Sequence, residues 1–190
     1  MPLDPSLVSK IISGLWLIFT LYWLFRAFGN KRSVFKQSRL SRWISLAIVF
    51  GFVYTIIHVR QLRIPVVRTT LATQLLGMIL SAAGVAIAIW ARRILGTNWS
   101  GIVTLKEGHT LVRRGPYAYV RHPIYSGIIL AAAGSFLAVL PTLQGIICVC
   151  FIFAGFRLKS LYEEQILTQN FADEYPQYRR EVKALVPFIY

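Results

Sequence analysis

Two adjacent carboxylates, Glu163 and Glu164, are the residues of this chain best placed for chemistry, and Lys159 lies four residues before the first of them. Residues four apart share one face of a helix, so Lys159 and Glu163 could form an exposed ion pair of small energetic consequence. However, the whole chain has only seven acidic residues. Two of them side by side therefore favour a site for a cationic ligand.

A second group of such side chains precedes an apolar segment. Pro123 suits the first position of a helix, because its missing N–H would have no partner there. His122 would then occupy the helix N-cap, where unpaired N–H groups and the positive end of the helix dipole favour a small carboxylate. The rings of Tyr117, Tyr119 and Tyr125 offer faces for a flat base or a sulfonium cation.

An interfacial belt of lipid-facing side chains is the alternative for this region. Trp and Tyr anchor at the level of the lipid headgroups, and Arg neutralises lipid phosphates. We favour this interpretation for Trp99, Arg113, Arg114 and Tyr119, whereas the density of unusual residues around His122 favours a ligand site.

The elements that must position these groups are membrane helices. Hydrophobic residues make up 56% of the 190 residues, and seven acids are too few to cover the surface of a soluble domain of this size. Five apolar segments stand out, at 7–28, 43–59, 71–91, 124–140 and 142–156. Only helices are tolerated for such segments in a bilayer. The sequence therefore predicts an all-α polytopic membrane bundle of about five transmembrane helices.

We expect a single domain over residues 1–190. Residues 1–91 would hold three N-terminal transmembrane helices, and residues 92–190 a catalytic region with a helical hairpin over 124–156. Only Pro141 separates the two helices of that hairpin, which predicts a tight turn. The polar segments 92–123 and 157–190 flank the hairpin at one membrane face, so we expect one site built from both.

The distribution of Lys and Arg residues predicts the orientation of the bundle. Five crossings place seventeen of the 21 Lys and Arg residues on one side of the membrane. Because an excess of Lys and Arg marks the cytoplasmic side, the N-terminus is expected outside and both long polar segments in the cytoplasm.

Other functions are disfavoured by the same distribution. A net charge of +14 would ordinarily suggest nucleic acid, but the basic residues lie between apolar segments and not on one folded face. Cys148 and Cys150 are two apart on one apolar helix and point away from each other, so we expect neither a disulfide nor a metal role. His58 has no supporting partners in the sequence and is expected to be structural.

Taken in order, the motifs resemble those of the isoprenylcysteine carboxyl methyltransferase family, and more broadly those of the related phospholipid methyltransferases. The resemblance covers about residues 90–190, and the first two helices match only in character. Membrane sterol reductases carry a string similar to Arg-His-Pro-x-Tyr, whereas the full ordered series is specific. That series is His-Thr-Leu-Val at 109–112, Gly-Pro-Tyr at 115–117, Arg-His-Pro-x-Tyr at 121–125, Glu-Glu at 163–164 and Tyr-x-x-Tyr-Arg at 175–179.

The resemblance implies a helical membrane bundle with a pocket for S-adenosyl-L-methionine (SAM) at its cytoplasmic face and no metal. Lys159 falls where the family often has an Arg that meets the acceptor carboxylate, which keeps the charge but loses the bidentate fork. The implied catalytic residues are Lys159, Glu163 and Glu164. The implied cofactor-binding residues are His109, Thr110, Leu111, Val112, Tyr117, Arg121, His122, Pro123, Tyr125 and Glu163.

The implied reaction is methyl transfer from SAM to a carboxylate on a lipid-like or prenylated acceptor that enters from the bilayer. A carboxylate is ionised at neutral pH and needs no general base, so the site must supply alignment and exclude water. Lys159 would position the acceptor, and Glu163 or Glu164 would hold the cationic part of the cofactor. The alternatives are a phospholipid or amine N-methyltransferase, in which a glutamate would act as the base, a sterol-reductase-like protein and a non-catalytic membrane scaffold.

Overall fold

The computed structural model describes residues 1–27, 54, 58–96 and 111–187, and every element in these ranges is helical. The predicted all-α fold class is therefore confirmed. The predicted span 43–59 lies almost entirely outside the described residues. The helices are α1 (Pro5–Ala27), α2 (Leu71–Leu95), α3 (Pro123–Val139), α4 (Leu143–Asn170) and α5 (Glu174–Glu181), with short 3-10 helices η1 (Arg60–Leu62) and η2 (Gly115–Ala118).

Three of these helices, α1, α2 and α4, are long and apolar enough to cross a membrane, and α3 is a shorter apolar helix of 17 residues. Large apolar side chains on α1, such as Leu17 and Phe25, remain exposed on the protein surface. In water an apolar surface of this extent would be unfavourable, whereas lipid chains solvate it. The protein is therefore an integral membrane protein.

Helix α4 is longer than the predicted span 142–156. It continues to Asn170, because residues 156–170 contain no Pro or Gly. The polar residues from 157 onward therefore extend the same helix that forms the apolar half of the hairpin. The predicted tight turn is confirmed, since residues 140–142 alone join α3 to α4.

Helices α2 and α3 approach so closely that their backbones touch. Gly77 and Gly84 on α2 face Gly134 and Gly127 on α3. A Cβ atom on Gly77 would lie only 2.6 Å from the backbone nitrogen of Ala138 and 2.6 Å from the carbonyl oxygen of Gly134. Because lipid provides no hydrophobic force between helices, such close van der Waals packing is what holds them together.

Helix α1 is attached to this pair by polar and apolar contacts. The indole N–H of Trp16 donates to the hydroxyl of Ser135 at 3.0 Å, and Ser135 lies 3.0 Å from the hydroxyl of Ser81. Val8 and Ala138 are buried together in one apolar cluster. The hydrogen bonds thus link α1, α2 and α3 within the apolar region.

Different segments of the chain form the two ends of the bundle. At one end, the carbonyl of Pro141 in the α3–α4 turn accepts from the backbone N–H groups of Val66 and Val67, at 3.0 and 3.3 Å. The backbone N–H of Leu143 donates to the carbonyl of Ile64 at 2.9 Å. The opposite end holds the start of α3 and the polar half of α4, where the predicted site residues lie.

Candidate functional site

The start of α3 has the local structure that its sequence predicts. Gly115 adopts a left-handed φ of 62° and opens η2. Pro123 occupies the first helical position and His122 the N-cap. The His122 side chain does not cap its own helix. It points instead toward the glutamates of α4, so the predicted N-cap position is confirmed while the side chain contacts Glu163 and Glu164.

Glu164 is the buried centre of an ionic cluster, with a side chain only 4% exposed. Its Oε1 atom accepts from Arg121 Nε at 3.1 Å and Arg121 Nη2 at 2.8 Å, and it lies 3.1 Å from His122 Nε2. Its Oε2 atom lies 3.6 Å from Arg179 Nε. Three cationic side chains therefore surround this carboxylate. The expectation that the segments 92–123 and 157–190 meet is confirmed by these contacts.

Glu163 faces a different environment, with a side chain 20% exposed. Its Oε1 atom accepts from the hydroxyl of Tyr125 at 2.5 Å, and its Oε2 atom lies 3.5 Å from His122 Nδ1. The two adjacent glutamates thus contact opposite nitrogens of the same imidazole ring. Of the two, Glu163 has the more accessible carboxylate.

His122 lies between the two glutamates and is itself buried. Burial alone would lower the pKa of His122, but its hydrogen bonds to Glu163 and Glu164 and their negative charges outweigh burial and raise the pKa above 6.5. The imidazolium form is therefore stabilised near neutral pH. In that form both ring nitrogens donate, one to each carboxylate.

The ring of Tyr125 packs between other side chains. It stacks on His122 with the planes 5° apart and the centroids separated by 5.5 Å, and on Phe156 with centroids 4.6 Å apart. Lys159 Nζ lies 5.3 Å from the same ring centroid. The expectation that this ring offers an open face to a ligand is not met here, because His122 and Phe156 stack on it. Its hydroxyl, hydrogen-bonded to Glu163, is the polar group it contributes.

Lys159 and Glu163 lie one turn apart on α4, as their spacing predicts, and both lie beside Tyr125. Glu163 is not part of a solvated surface pair, because it is mostly buried against Tyr125 and His122. The site therefore presents a cation and a carboxylate on the same helix face, with an aromatic ring between α3 and α4.

The remaining predicted residues have different surroundings. Tyr117 is buried, packs with Ala91 and Ile124, and its carbonyl accepts from the hydroxyl of Tyr178 at 2.5 Å. Val112 packs against the apolar cluster that Tyr117 forms with Ala91 and Ile124. Leu111 is partly buried and Pro123 is buried. His109, Thr110 and Trp99 lie outside the described residues.

Several contacts around the candidate site were not predicted from the sequence. Phe156 gave no signal, because one more aromatic residue in an apolar helix is ordinary. Tyr178 and Arg179 belong to the Tyr-x-x-Tyr-Arg motif, which could have indicated their place beside the glutamates. Arg113, assigned above to a lipid-facing belt, forms an ion pair with Glu181 and lies 5.1 Å from the Tyr178 ring centroid.

Comparison with known proteins decides the family. The model of the isoprenylcysteine carboxyl methyltransferase (ICMT) family matches residues 75–170, which is half of the chain and includes most of the site described above. The chain belongs to the ICMT family. It is therefore a methyltransferase, as its motifs predict. This result supports the carboxyl methyltransferase interpretation and does not favour the N-methyltransferase, sterol reductase or scaffold alternatives.

Two relatives found by sequence agree with this assignment. A probable protein-S-isoprenylcysteine O-methyltransferase of Oryza sativa subsp. indica is 27% identical over 172 residues, covering 88% of this chain and 88% of that protein. The protein-S-isoprenylcysteine O-methyltransferase of Saccharomyces cerevisiae is 34% identical over 125 residues, which cover 63% of this chain and 52% of the relative. A solved structure of a eukaryotic intramembrane Ras methyltransferase ICMT is similar with a TM-score of 0.49 and 24% identity, covering 82% of this chain and 55% of that one.

Proposed function

We propose that this protein transfers the methyl group of SAM to the carboxylate of a prenylated cysteine or a similar lipophilic acceptor. The observation that best supports this proposal is the arrangement around Tyr125, where a partly exposed carboxylate and a cation both lie beside the ring, just beyond the apolar part of α4. Glu163 offers the negative charge that a sulfonium donor requires, and Lys159 offers the positive charge that a carboxylate acceptor requires.

The donor is proposed to contact Glu163 and not Glu164. The two carboxylates differ in their partners, and Glu164 is already surrounded by Arg121, His122 and Arg179. Glu163 keeps the greater exposure and accepts a hydrogen bond from Tyr125. A cation approaching this carboxylate would gain an ionic interaction in a poorly solvated position, where such interactions are stronger than in water.

The acceptor is proposed to bind with its carboxylate toward Lys159. The apolar part of α4 ends just before this residue, so a prenyl chain could remain in lipid while the carboxylate meets the ammonium group. Lys159 would orient one carboxylate oxygen, since an ammonium acts as a point charge without the fork of Arg.

Bound SAM would supply an electrophilic methyl group on a sulfonium centre. In the transfer, a carboxylate oxygen forms a bond to the methyl carbon while the carbon–sulfur bond breaks, and the sulfur keeps the electron pair. The products are a methyl ester and a neutral thioether, so no proton has to move. The residues of this chain therefore act by holding and aligning charges and by excluding water.

The site end of the bundle is proposed to face the cytoplasm. Seventeen of the 21 Lys and Arg residues lie on that side if the chain crosses five times. The positive-inside tendency of membrane proteins supports this orientation.

The reaction can be tested with purified protein and labelled SAM. An S-prenylated N-acetylcysteine is expected to gain a base-labile methyl ester, whereas the matched compound with a carboxamide in place of the carboxylate should gain nothing. A phospholipid with a primary amine headgroup serves as the competing acceptor. Methylation of the amine lipid with no ester on the prenylcysteine would overturn the proposal.

A further inference from the structure

The segment 182–185, here called the strap, runs beside residues 120–122. The backbone N–H of Arg121 donates to the carbonyl of Lys183 at 2.8 Å, and that of His122 donates to the carbonyl of Ala184 at 3.0 Å. Ala184 and Leu185 are buried. The strap therefore supplies hydrogen-bond acceptors to backbone N–H groups at and just before the N-cap of α3, groups that a helix cannot satisfy internally.

Side chains strengthen this attachment on both sides of His122. The hydroxyl of Ser126, in the first turn of α3, donates to the carbonyl of Leu185 at 2.6 Å and lies 3.2 Å from the carbonyl of His122. Arg121 Nη1 donates to the carbonyl of Val182. The strap thus holds the backbone of His122 in place.

Glu164 fixes the imidazole ring of His122 in turn. Its Oε1 atom holds His122 Nε2 at 3.1 Å and Arg121 Nη2 at 2.8 Å. The ring plane is then parallel to Tyr125, and Nδ1 faces Glu163 at 3.5 Å. Backbone and ring together leave His122 little freedom.

We propose that the strap and Glu164 are positioning elements of the methyl-transfer site, which set the ring of His122 and through it Tyr125 and Glu163. This inference rests on the proposed function. Glu164 contacts Arg121, His122 and Arg179, and the strap contacts the backbone around His122, so both act on the donor site through other residues. The strap lies far along the chain from the motif that it holds, so the segment after α5 would influence donor affinity indirectly, through His122.

The proposal predicts a change in pH dependence when Glu164 loses its charge. Two carboxylates stabilise the imidazolium form of His122. Because Glu164→Gln leaves only one of them, His122 should lose its proton at lower pH in this variant. The imidazolium repels a cationic donor but holds the Glu163 carboxylate in place, and we expect the second effect to be the larger, so KM for the donor should rise once His122 loses its proton. The charged or titratable groups that contact this ring or its neighbours are Glu163, Glu164 and Lys159 on α4, Tyr125 on α3, Arg121 just before it, Tyr117 on η2, and Tyr175, Tyr178 and Arg179 on α5.

The experiment compares four variants of the full chain in detergent, measured for kcat and for KM with SAM across pH. Ser126→Ala is expected to raise KM for SAM about fivefold with little change in kcat. Ser126→Thr keeps the hydroxyl and is expected to restore the wild-type KM for SAM. Glu164→Gln is expected to raise KM about tenfold and to move its rise with pH toward lower pH. Glu181→Gln is the matched control, because Glu181 pairs with Arg113 on the surface, and it should behave like the wild type.

An unchanged KM for SAM in Ser126→Ala would overturn the proposal, as would an equal loss in the Ala and Thr variants. An unshifted pH profile in folded Glu164→Gln would overturn it as well. Should Glu164→Gln fail to fold, the two Ser126 variants decide alone. Failure of the proposed function is distinguishable, since the wild type itself would then form no methyl ester.

Discussion

Glu163 and Glu164 carry the same side chain on the same helical turn, yet they have different partners. Glu164 is 4% exposed and is held by Arg121 and His122, while Glu163 is 20% exposed and is held by Tyr125. Adjacent residues on a helix point about 100° apart, so one faces the ionic cluster and the other faces the ring of Tyr125. We infer that the roles of donor contact and positioning are divided accordingly.

Substitutions at Glu163 and Lys159 should therefore have different kinetic effects. Glu163→Gln is expected to raise KM for SAM about tenfold or more, because a hydrogen bond to a charged group contributes about 1.5–3 kcal/mol. Lys159→Met should impair use of the acceptor while SAM still binds. Steady-state kinetics with SAM and acceptor varied separately distinguish the two effects.

Lys159→Arg provides the matched control for charge. The guanidinium keeps the positive charge and can pair with both carboxylate oxygens, so activity with a carboxylate acceptor should be retained or improved. Near-wild-type kinetics of both Glu163→Gln and Lys159→Met would contradict the site, since an ordinary surface pair contributes under about 1 kcal/mol.

The raised pKa of His122 predicts a pH dependence of stability. Because the folded-state pKa lies above 6.5, the stabilisation from protonated His122 is complete below about pH 6.5 and is lost as the pH rises through the folded-state value. His122→Gln can hydrogen-bond but cannot titrate. Thermal unfolding in detergent should show the advantage of wild type over this variant shrinking as pH rises, and a constant difference would contradict the prediction.

Sequence reasoning grouped His122 with Tyr125 and Lys159 with Glu163 through local signals, and the predicted hairpin brought these two groups to one membrane face. Position before Pro123 fixes the N-cap, and a spacing of four fixes a helix face. The stacking of Phe156 on Tyr125 could not be predicted in this way. Neither could the hydrogen bond from Ser126 to Leu185, because it joins residues 59 positions apart through a carbonyl that any residue type would carry.

Among the elements, α4 contains both an apolar membrane span and residues of the candidate site. The apolar pattern ends near Phe156, so composition alone suggested that the span stops there, but the backbone continues as a helix to Asn170. Residues 156–170 contain no Pro or Gly, so the helix continues although the hydrophobicity of its sequence falls. One continuous helix therefore holds Lys159 and Glu163 beyond the apolar segment.

The contact between α2 and α3 predicts a large effect from a small substitution. Gly77→Ala would bring a methyl group to within 2.6 Å of backbone atoms of Ala138 and Gly134, and backbone cannot move aside as a flexible side chain does. We expect a loss of about 1–3 kcal/mol of stability, measured by denaturation in detergent.

Gly155→Ala is the matched control for the Gly77 substitution. A Cβ atom at Gly155 has nothing within 4 Å, so the change should leave stability unchanged or raise it by up to about 1 kcal/mol through helix propensity. Equal effects of the two substitutions would show that helix packing is not what Gly77 serves.

Over the whole molecule, composition predicted the membrane environment and the helical class, because long apolar segments have few alternatives. The hairpin of α3 and α4 was predicted from a single proline between two apolar runs, and the structure confirms it. The close packing of α2 on α3 was not predicted, since glycines are frequent in membrane helices and their pattern alone does not identify a partner.

The orientation of the whole protein gives the last prediction. Gln61 lies exposed in η1 and Gln177 lies exposed in α5, at the end that carries the glutamates. If the site faces the cytoplasm, a membrane-impermeant thiol reagent confined to the non-cytoplasmic side of sealed membrane vesicles should label Gln61→Cys directly. Gln177→Cys should react only after permeabilisation. Both changes are made in a background where Cys148 and Cys150 are replaced by Ala, so that each variant carries one thiol. The reverse labelling pattern would contradict the positive-inside orientation and would place the methyl-transfer site on the outer face, where SAM made in the cytoplasm could not reach it directly.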